Sequence, residues 1–363
     1  VLGGRAMEIV YSRDELKRYF SHAIKVSNES PVLLDRFLSD AIEVDVDVVC
    51  DGREVMIGGV MEHIEEAGVH SGDSACALPP FSLSSDTQTE IRRQSRELAL
   101  ALGVVGLMNA QFAVKNGDIY VLEVNPRASR TVPFVSKATS RPLAKIAARC
   151  MVGESLAEQG VVSTVTPPYF SLKEAVFPFV KFPGVDPLLG PEMKSTGEVM
   201  GVGATLGEAF DKAQRASGMF IPATGTVLIS VKTVDQLAVI DVARYLSING
   251  FRLVATEGTA ESLEVAGITA SVIRKVSEAH PNVADSIRDD EFDLIINTTA
   301  SRYSRRDSQT IRRLALIYKI PYYTTLASAR AACEAHRSGS QMLVNRLQSL
   351  HEACVYDTDT FND

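Results

Sequence analysis

The sequence predicts two structural classes in succession, an α+β half and then an α/β half with a doubly wound parallel sheet. In residues 1–160, strand patterns follow one another across turn residues, which is typical of antiparallel hairpins. From Gly225 onward, short apolar strands alternate regularly with helices, and this indicates βαβ units with helices on both faces of the sheet. Between them, residues 161–217 are richer in Pro and Gly. We therefore expect domains at 1–160 and 218–355, a connecting segment at 161–217 and an acidic tail at 356–363.

Five elements are predicted in the first half. Apolar and acidic residues alternate from Ala41 to Gly52, which is typical of a half-buried strand, and Arg53–Glu65 is its expected antiparallel partner. Thr87–Gly103 has helical periodicity and a glycine stop. Leu107–Asn125 is predicted as a hairpin, and Arg141–Gly160 as one helix.

The register of that hairpin follows from its apolar residues. If one face holds Phe112 and Val114 together with Tyr120, Leu122 and Val124, the numbers of paired residues must sum to an even value. A two-residue Asn-Gly turn gives an odd sum. We therefore predict a three-residue, bulged loop that ends at Gly117 in the left-handed conformation.

The same register collects polar residues on the opposite face. Gln111, Glu123 and Asn125 would lie together, and all three offer the oxygen ligands that Mg²⁺ prefers beside phosphates. Arg127 and Arg130 follow the strand and are suited to phosphate oxygens. The pattern indicates a metal–polyphosphate platform. A solvated sheet face with capping residues fits the spacing equally well.

The second half places polar residues where predicted strands end. Ligands of open α/β sheets bind at that edge, and a helix start there offers free backbone N–H groups to a phosphate. Ordinary capping by threonine and asparagine is the alternative. The residues concerned are Thr256, Thr259, Lys275, Asn297, Thr298 and Thr299.

Composition excludes several classes of function. The formal charge of −8 gives nucleic-acid binding no electrostatic support. No apolar run is long enough for a membrane span, so a cytoplasmic, membrane-free protein is expected. The five cysteines are scattered and form no CxxC pair, which is typical of reduced thiols.

Several long stretches resemble the large subunit of carbamoyl phosphate synthetase. They include "MEHIEEAGVHSGDSA", "LMNAQFAVKNGDIYVLEVNPRASRTVPFVSKATSRPLAKIA" and "FPGVDPLLGPEMKSTGEVMG". The resemblance runs essentially end to end. It implies the later part of the second ATP-grasp unit, which phosphorylates carbamate, followed by a methylglyoxal-synthase-like regulatory domain.

The resemblance implies roles for named residues in an ATP site. Gln111, Glu123 and Asn125 would hold Mg²⁺ or Mn²⁺ on the ATP phosphates, and Arg127 and Arg130 would contact the phosphates and carbamate. The nucleotide itself would contact Arg36 and Leu38 at adenine, Glu43 at the ribose, and the loop residues Gly68, Val69, His70 and Ser71.

The resemblance also implies effector sites. UMP or IMP would bind in the regulatory domain at Thr256, Thr259, Lys275, Asn297, Thr298 and Thr299, although Gln236 stands where the family often has a lysine. Ornithine would bind between the domains at Glu65, Asp73, Glu174, Tyr322 and Thr324. The implied partners are a glutaminase small subunit, the N-terminal part of the large subunit, and a second copy that pairs through the regulatory domain.

The chain opens at "VLGGRA", with Gly3 and Gly4 in a loop that the family closes over the phosphates. An upstream subdomain and a phosphate-binding arginine of the family have no counterpart in it. We therefore expect this polypeptide alone not to make carbamoyl phosphate. A stand-alone regulatory module that binds nucleotides without catalysis is the alternative function.

Overall fold

A computed structural model describes most of the chain. The described residues are 7, 9–10, 12–27, 32–39, 41–161, 165–181, 187–299, 302–339, 343–352 and 354. Gly3, Gly4 and the predicted tail at 356–363 lie outside them. Within these ranges, no helix is both long and apolar enough to cross a membrane.

Twelve strands and eleven helices are present among the described residues. The strands are β1 (Ile42–Asp51), β2 (Val55–Glu66), β3 (Cys76–Leu78), β4 (Val105–Lys115), β5 (Asp118–Asn125), β6 (Phe170–Val176), β7 (Gly197–Gly203), β8 (Gly225–Ser230), β9 (Phe251–Thr256), β10 (Ser271–Ile273), β11 (Leu294–Asn297) and β12 (Tyr322–Tyr323). The helices are α1 (Arg13–Ser27), α2 (Ser85–Ala101), α3 (Val132–Thr139), α4 (Leu143–Met151), α5 (Leu206–Ser217), α6 (Ile240–Ile248), α7 (Glu257–Val265), α8 (Val283–Arg288), α9 (Arg302–Tyr318), α10 (Leu326–Ser338) and α11 (Leu347–Glu352).

The first sheet has seven strands in the order β5-β4-β1-β2-β3-β6-β7, and every neighbouring pair is antiparallel. Helix α2 packs on one face through Ile91 and Ala99. Helices α3 and α4 pack on the other, and Phe134 and Leu143 are buried there. The sheet therefore continues past residue 160, because β6 and β7 complete it.

Strand β1 is more buried than its sequence pattern predicts. Val44, Val46 and Val48 face α2, as expected for one apolar face. The acidic residues of the other face, Glu43, Asp45 and Asp47, are also buried, with at most 4% of their surface exposed. The prediction of a half-buried strand is wrong, because loops following β2 and β5 cover the acidic face with polar partners of their own.

The hairpin of β4 and β5 differs from the prediction at its turn. Lys115 pairs with Asp118, so the loop has two residues, and Asn116 and Gly117 both have positive φ (53° and 88°). This is a type I′ turn, and the predicted three-residue loop is wrong. A bulge between Gln111 and Phe112 on one strand, opposite Val121 and Glu123 on the other, then restores the even register from Gln111 to Asn109. Between the bulge and the turn the register is odd and Tyr120 pairs with Ala113, so the predicted common face of Val114 and Tyr120 is wrong.

The second sheet is parallel throughout, in the order β10-β9-β8-β11-β12. Residues of α6, α7 and α10 cover one face, and residues of α8 and α9 cover the other. The doubly wound prediction is confirmed. One predicted element is shorter in the structure: the helix predicted at 141–160 ends at Met151.

The two sheets share one hydrophobic core. Phe210 of α5 lies in the same buried cluster as Leu172 of β6 and Ile229 of β8. Helix α5 also packs closely on α10, where a Cβ at Gly207 would lie 2.4 Å from the carbonyl oxygen of Glu334. Only glycine allows that approach, so the parallel sheet is joined to the first sheet by tight packing.

Candidate functional site

The predicted polar face exists on β4 and β5. Gln111 pairs directly with Glu123, and Asn109 pairs with Asn125. Cross-strand partners project to the same side of a sheet, so the amide of Gln111 and the carboxylate of Glu123 face one space. Asn125 Nδ2 donates to Glu123 Oε1 over 2.8 Å. One carboxylate and two amide carbonyls form a donor set that suits a hard divalent cation.

The two arginines follow this face on an exposed loop. Arg127 donates from Nη2 to Asn125 Oδ1 over 3.2 Å and from Nη1 to the carbonyl of Ala128. Arg130 is exposed and lies near enough to His70 to contribute to lowering that residue's pKa. One guanidinium therefore contacts an oxygen donor of this face and the other lies near His70, and groups of this kind suit phosphate oxygens.

The glycine-containing loop after β2 adjoins the same face. Gln111 Nε2 donates to Ser71 Oγ over 2.9 Å, and the backbone N–H of Gly68 donates to Glu43 Oε2 over 3.3 Å. His70 is held by its own backbone N–H, which donates to the carbonyl of Gly190. Burial lowers the pKa of His70, so the ring favours its neutral form. Val69 lies in the same loop, in a β-bridge with Ala67.

The predicted adenine segment lies against that loop. Leu38 packs in a small cluster with Ala41, Ala67 and Ala113. The ring of Phe37 lies only 2.8 Å from the Cβ position of Gly68, which has a φ of +111°. Leu38 is therefore close to the loop, whereas Arg36 is exposed on the same segment.

Beneath the polar face lies a buried acidic cluster. His63 Nε2 is 3.4 Å from Asp45 Oδ2, and its Nδ1 is 3.8 Å from Glu43 Oε1. Burial raises the pKa of Glu43 to about 7. Burial lowers the pKa of His63, but the two carboxylates outweigh it and the net pKa is raised. One ligand atom from each of these three residues could reach a common cation.

A second buried acidic cluster lies between the two sheets. Burial raises the pKa of Glu174 to about 8, and the charge of Glu65 adds to the effect. Gln214 Nε2 donates to Glu174 Oε2 over 2.8 Å, and the backbone N–H of Ala75 donates to Glu65 Oε2 over 2.7 Å. Asp73 accepts from the backbone N–H groups of Lys194 and Ser195.

The structure brings Tyr323, and not the side chain of Tyr322, toward these acids. Burial raises the pKa of Tyr323, and the charge of Glu174 adds to the effect. The ring of Tyr323 lies 6.5 Å from that of Phe210. Tyr322 packs in the cluster on the opposite face of the sheet. Thr324, the following residue, is half-buried. Successive strand residues point to opposite faces, so of the two adjacent tyrosines only Tyr323 faces the acidic cluster.

The predicted effector residues meet at the carboxyl edge of the parallel sheet. Thr256 donates to Ser230 Oγ over 3.2 Å, Asn297 Nδ2 donates to the carbonyl of Ser230 over 3.0 Å, and Thr298 Oγ1 accepts from the N–H of Lys232. The remaining predicted members are Thr259, which accepts from the N–H of Val231, Thr299, which is within 3.5 Å of Arg312, and Lys275, which lies two residues past the partner of Thr256.

Two observations at this edge suit a ligand. The side-chain oxygen of Asn297 is buried and has no hydrogen-bond partner within the described ranges. Thr256 is the N-cap of α7, yet its side chain makes no capping bond, so first-turn N–H groups stay open. Gln236 also lies here, with its Nε2 3.2 Å from the Cβ position of Gly258.

Sequence reasoning missed several buried polar residues. Asp47 accepts from Asn109, Ser129 and Thr131, and burial raises its pKa to about 6. Lys173 is 1% exposed and donates to the carbonyls of Ser71 and Ser74. The signal for Asp47 was its parity with Glu43 on β1. Lys173, His63, Gln214 and Tyr323 gave no local signal, because tertiary packing alone brings them to the clusters.

Comparison with known families agrees with this geometry. Residues 1–159 match the family profile described as "Carbamoyl-phosphate synthase L chain, ATP binding domain", and residues 238–324 match the "MGS-like domain". The chain is 59% identical over 351 residues to the carbamoyl phosphate synthase large chain of Pseudomonas putida. The chain is homologous to one part of the carbamoyl phosphate synthase large chain.

The carbamoyl phosphate synthase large chains of other bacteria give the same result. Identity is 57% to that of Vibrio vulnificus and 58% to that of Pasteurella multocida, in each case over 97% of this chain. The chain spans about a third of the length of these relatives (33%). Matching solved structures include the "Biotin Carboxylase domain of single-chain bacterial carboxylase", with a TM-score of 0.43, 17% identity and 57% of each chain covered. That structural similarity is too weak to support an argument about this chain.

Proposed function

We propose that this chain forms the ATP- and carbamate-handling part of a carbamoyl phosphate synthase large chain, in which carbamate is phosphorylated to carbamoyl phosphate. The observation that carries the proposal is the cross-strand pair of Gln111 and Glu123, in contact with Asn125 and, through it, Arg127, with Arg130 following in the same loop. The match of residues 1–159 to the ATP-binding domain of the family supports it.

Each residue of this face has a task that its chemistry fits. Gln111, Glu123 and Asn125 would hold Mg²⁺ or Mn²⁺, which neutralises phosphate charge when bound. Arg127 and Arg130 would orient the transferring phosphoryl group and carbamate. Phosphoryl transfer needs positioning and charge compensation more than covalent help, and this arrangement supplies both. Leu38 and the Gly68–Ser71 loop would enclose the nucleoside, with Arg36 and Glu43 as further contacts.

The reverse half-reaction tests this function. The assay supplies MgADP and carbamoyl phosphate and measures ATP. We expect the full-length large chain, assembled with its glutaminase small chain, to form ATP. We expect this 363-residue chain alone to form none, because its relatives are about three times longer. Nucleotide-induced stabilisation without ATP formation in either preparation would favour the stand-alone regulatory module instead.

We also propose that the carboxyl edge of the parallel sheet binds a nucleoside monophosphate such as UMP or IMP. The open first turn of α7 and the unpartnered oxygen of Asn297 support a ligand with both phosphate and hydrogen-bond donors. UMP or IMP should raise the melting temperature of the chain, and the rise should grow with nucleotide concentration. Asn297→Ala should remove most of that rise, whereas Asn249→Ala, at the exposed end of α6, should not.

The cluster of Glu65, Asp73 and Glu174 suits the amines of ornithine, with Thr324 and the strand of Tyr322 beside it. Because this cluster lies between the sheets, an amino acid bound there would bias their packing. Ornithine should raise the melting temperature, and Asp73→Asn should weaken that effect. A homodimer through the second sheet and the glutaminase small chain complete the proposed partners.

A further inference from the structure

The loop that carries both arginines is tied to the sheet by one buried carboxylate, that of Asp47. Ser129 Oγ donates to Asp47 Oδ1 and Thr131 Oγ1 donates to Oδ2, each over 2.7 Å. These two residues flank Arg130. Asn109 Nδ2 donates to Oδ1 over 3.0 Å, and Asn109 is the cross-strand partner of Asn125, the last residue before the loop. The carboxylate therefore contacts the end of this loop directly, and through Asn109 it is linked to the strand pair from which the loop starts.

This arrangement gives up local stability. Asp47 is fully buried, and its three hydrogen-bond donors are neutral, so the desolvation of its charge is only partly offset. Thr131 is the N-cap of α3, a position where a threonine hydroxyl normally accepts from the helix backbone. Here its side chain makes no capping bond and donates to Asp47 instead. Functional sites often keep a fixed geometry that lowers the stability of the protein.

The tethered residues are buried or half-buried, whereas the arginine between them is exposed. Arg130 is exposed, whereas Thr131 is 4% exposed and Ser129 is half-buried. Because the hydroxyls of Ser129 and Thr131 both bond to Asp47, the backbone between them can adopt fewer conformations. The guanidinium of Arg130 can therefore point in fewer directions. Correct placement of a charge-neutralising group matters more for turnover than for binding.

We infer that Asp47 is a positioning residue which, through Ser129 and Thr131, holds Arg130 and Arg127 in place for phosphoryl transfer. The inference rests on the proposed function for its catalytic consequence. The tether itself can be tested without any activity, because a loosened loop becomes a better protease substrate.

The test uses trypsin, which cleaves after Arg127 and Arg130, with each site followed by mass spectrometry on the full chain. Thr131→Val and Ser129→Ala each remove one tether. Each should raise cleavage at these two sites about fivefold or more. The matched control is Thr139→Val, which removes a buried hydroxyl whose one hydrogen bond within the described part of the chain is to the carbonyl of Val135 in the same helix. It should leave cleavage at both sites unchanged. Unchanged cleavage in Thr131→Val and Ser129→Ala would overturn the inference.

Asp47→Asn separates a tether from a general structural role. The amide keeps the shape and removes the buried charge, so we expect the melting temperature to be unchanged or higher while cleavage at Arg127 and Arg130 increases. A lower melting temperature with faster cleavage throughout the chain would show a merely structural residue and overturn the inference.

A second measurement tests whether loss of the tether lowers the rate of catalysis. In the full-length large chain with its small chain, Thr131→Val should lower kcat for ATP formation about tenfold and leave KM for ADP nearly unchanged. Thr139→Val should behave as wild type. An unchanged kcat in Thr131→Val would refute the positioning role. A wild-type assembly that forms no ATP would instead contradict the proposed function, and the trypsin result would still decide whether the tether exists.

Discussion

The two sheets present their polar groups in different ways. In the antiparallel sheet the groups lie on a face, within strands, as Asp45, Gln111 and Glu123 do on three adjacent strands. In the parallel sheet they lie at the last residue of a strand, as Thr256 and Asn297 do at the carboxyl edge. The first arrangement depends on strand register, and the second on topology.

This difference decides what a mutation can disturb. A face residue has cross-strand neighbours, so replacing one alters a shared donor set. An edge residue shares ligand binding with the backbone N–H groups of a helix start, which a side-chain substitution leaves in place. The comparison predicts larger functional effects on the β4–β5 face than at the carboxyl edge of the parallel sheet.

The largest effect should come from Glu123→Gln. The substitution removes the only carboxylate among Gln111, Glu123 and Asn125 and keeps the shape of the side chain. We expect ATP formation from MgADP and carbamoyl phosphate in the full-length assembly to fall about 100-fold or more. Asp118→Asn, at the exposed start of the same strand, should have little effect. Comparable losses in both variants would contradict the assignment of the face.

A smaller effect, in the opposite direction, should come from Gln236→Lys. Gln236 lies beside Gly258 in the first turn of α7 and accepts from Ser262 Oγ over 3.2 Å. A cation there would add a charge-assisted bond to a phosphate, so UMP or IMP should bind about tenfold tighter at low salt. Gln236→Glu should weaken binding. Equal affinities for the lysine and glutamate variants would place the phosphate elsewhere.

The pH dependence of stability should distinguish the acidic cluster between the sheets. Burial raises the pKa of Glu174 to about 8, above its ordinary value of 4.5, so the folded state holds a proton that the unfolded state releases. The contribution of Glu174 to the free energy of unfolding is fully present below pH 4.5 and is lost as pH rises through about 8. Glutamine does not ionise, so Glu174→Gln should not lose stability in this range.

Melting curves from pH 5 to 9 provide the measurement. We expect Glu174→Gln to exceed wild type by a few degrees at pH 9 and to converge with it toward pH 5. Glu158→Gln, an exposed acid outside the cluster, is the matched control and should follow wild type between these values. A constant difference between Glu174→Gln and wild type across this range would show that Glu174 does not titrate there.

Alternation in the sequence predicted the strands β1, β2, β4 and β5, and regular spacing predicted the parallel sheet. Both patterns reflect local backbone geometry. The burial of Asp47 and Lys173 could not be predicted, because it depends on loops from distant positions that supply hydrogen-bond partners. Tyr323 was missed for a related reason, since the orientation of a two-residue strand is set by its neighbours.

The hairpin shows how a correct result can follow from a wrong step. The even register at Gln111 and Glu123 was predicted and is confirmed, but a bulge inside the strands produces it and the turn does not. Parity alone cannot locate the extra residue, because a bulge at any point between the turn and Glu123 has the same effect.

The smallest expected effect tests that turn. In the type I′ turn Asn116 has a φ of +53°, a conformation that β-branched residues strongly disfavour. Asn116→Val should therefore lower stability by about 1 kcal/mol, or roughly 2–3 °C in melting temperature. Asn116→Gly, which tolerates positive φ, should stay close to wild type. In a three-residue loop Asn116 would have negative φ and valine would be accepted. Equal melting temperatures for the two variants would therefore contradict the type I′ turn and support the three-residue loop.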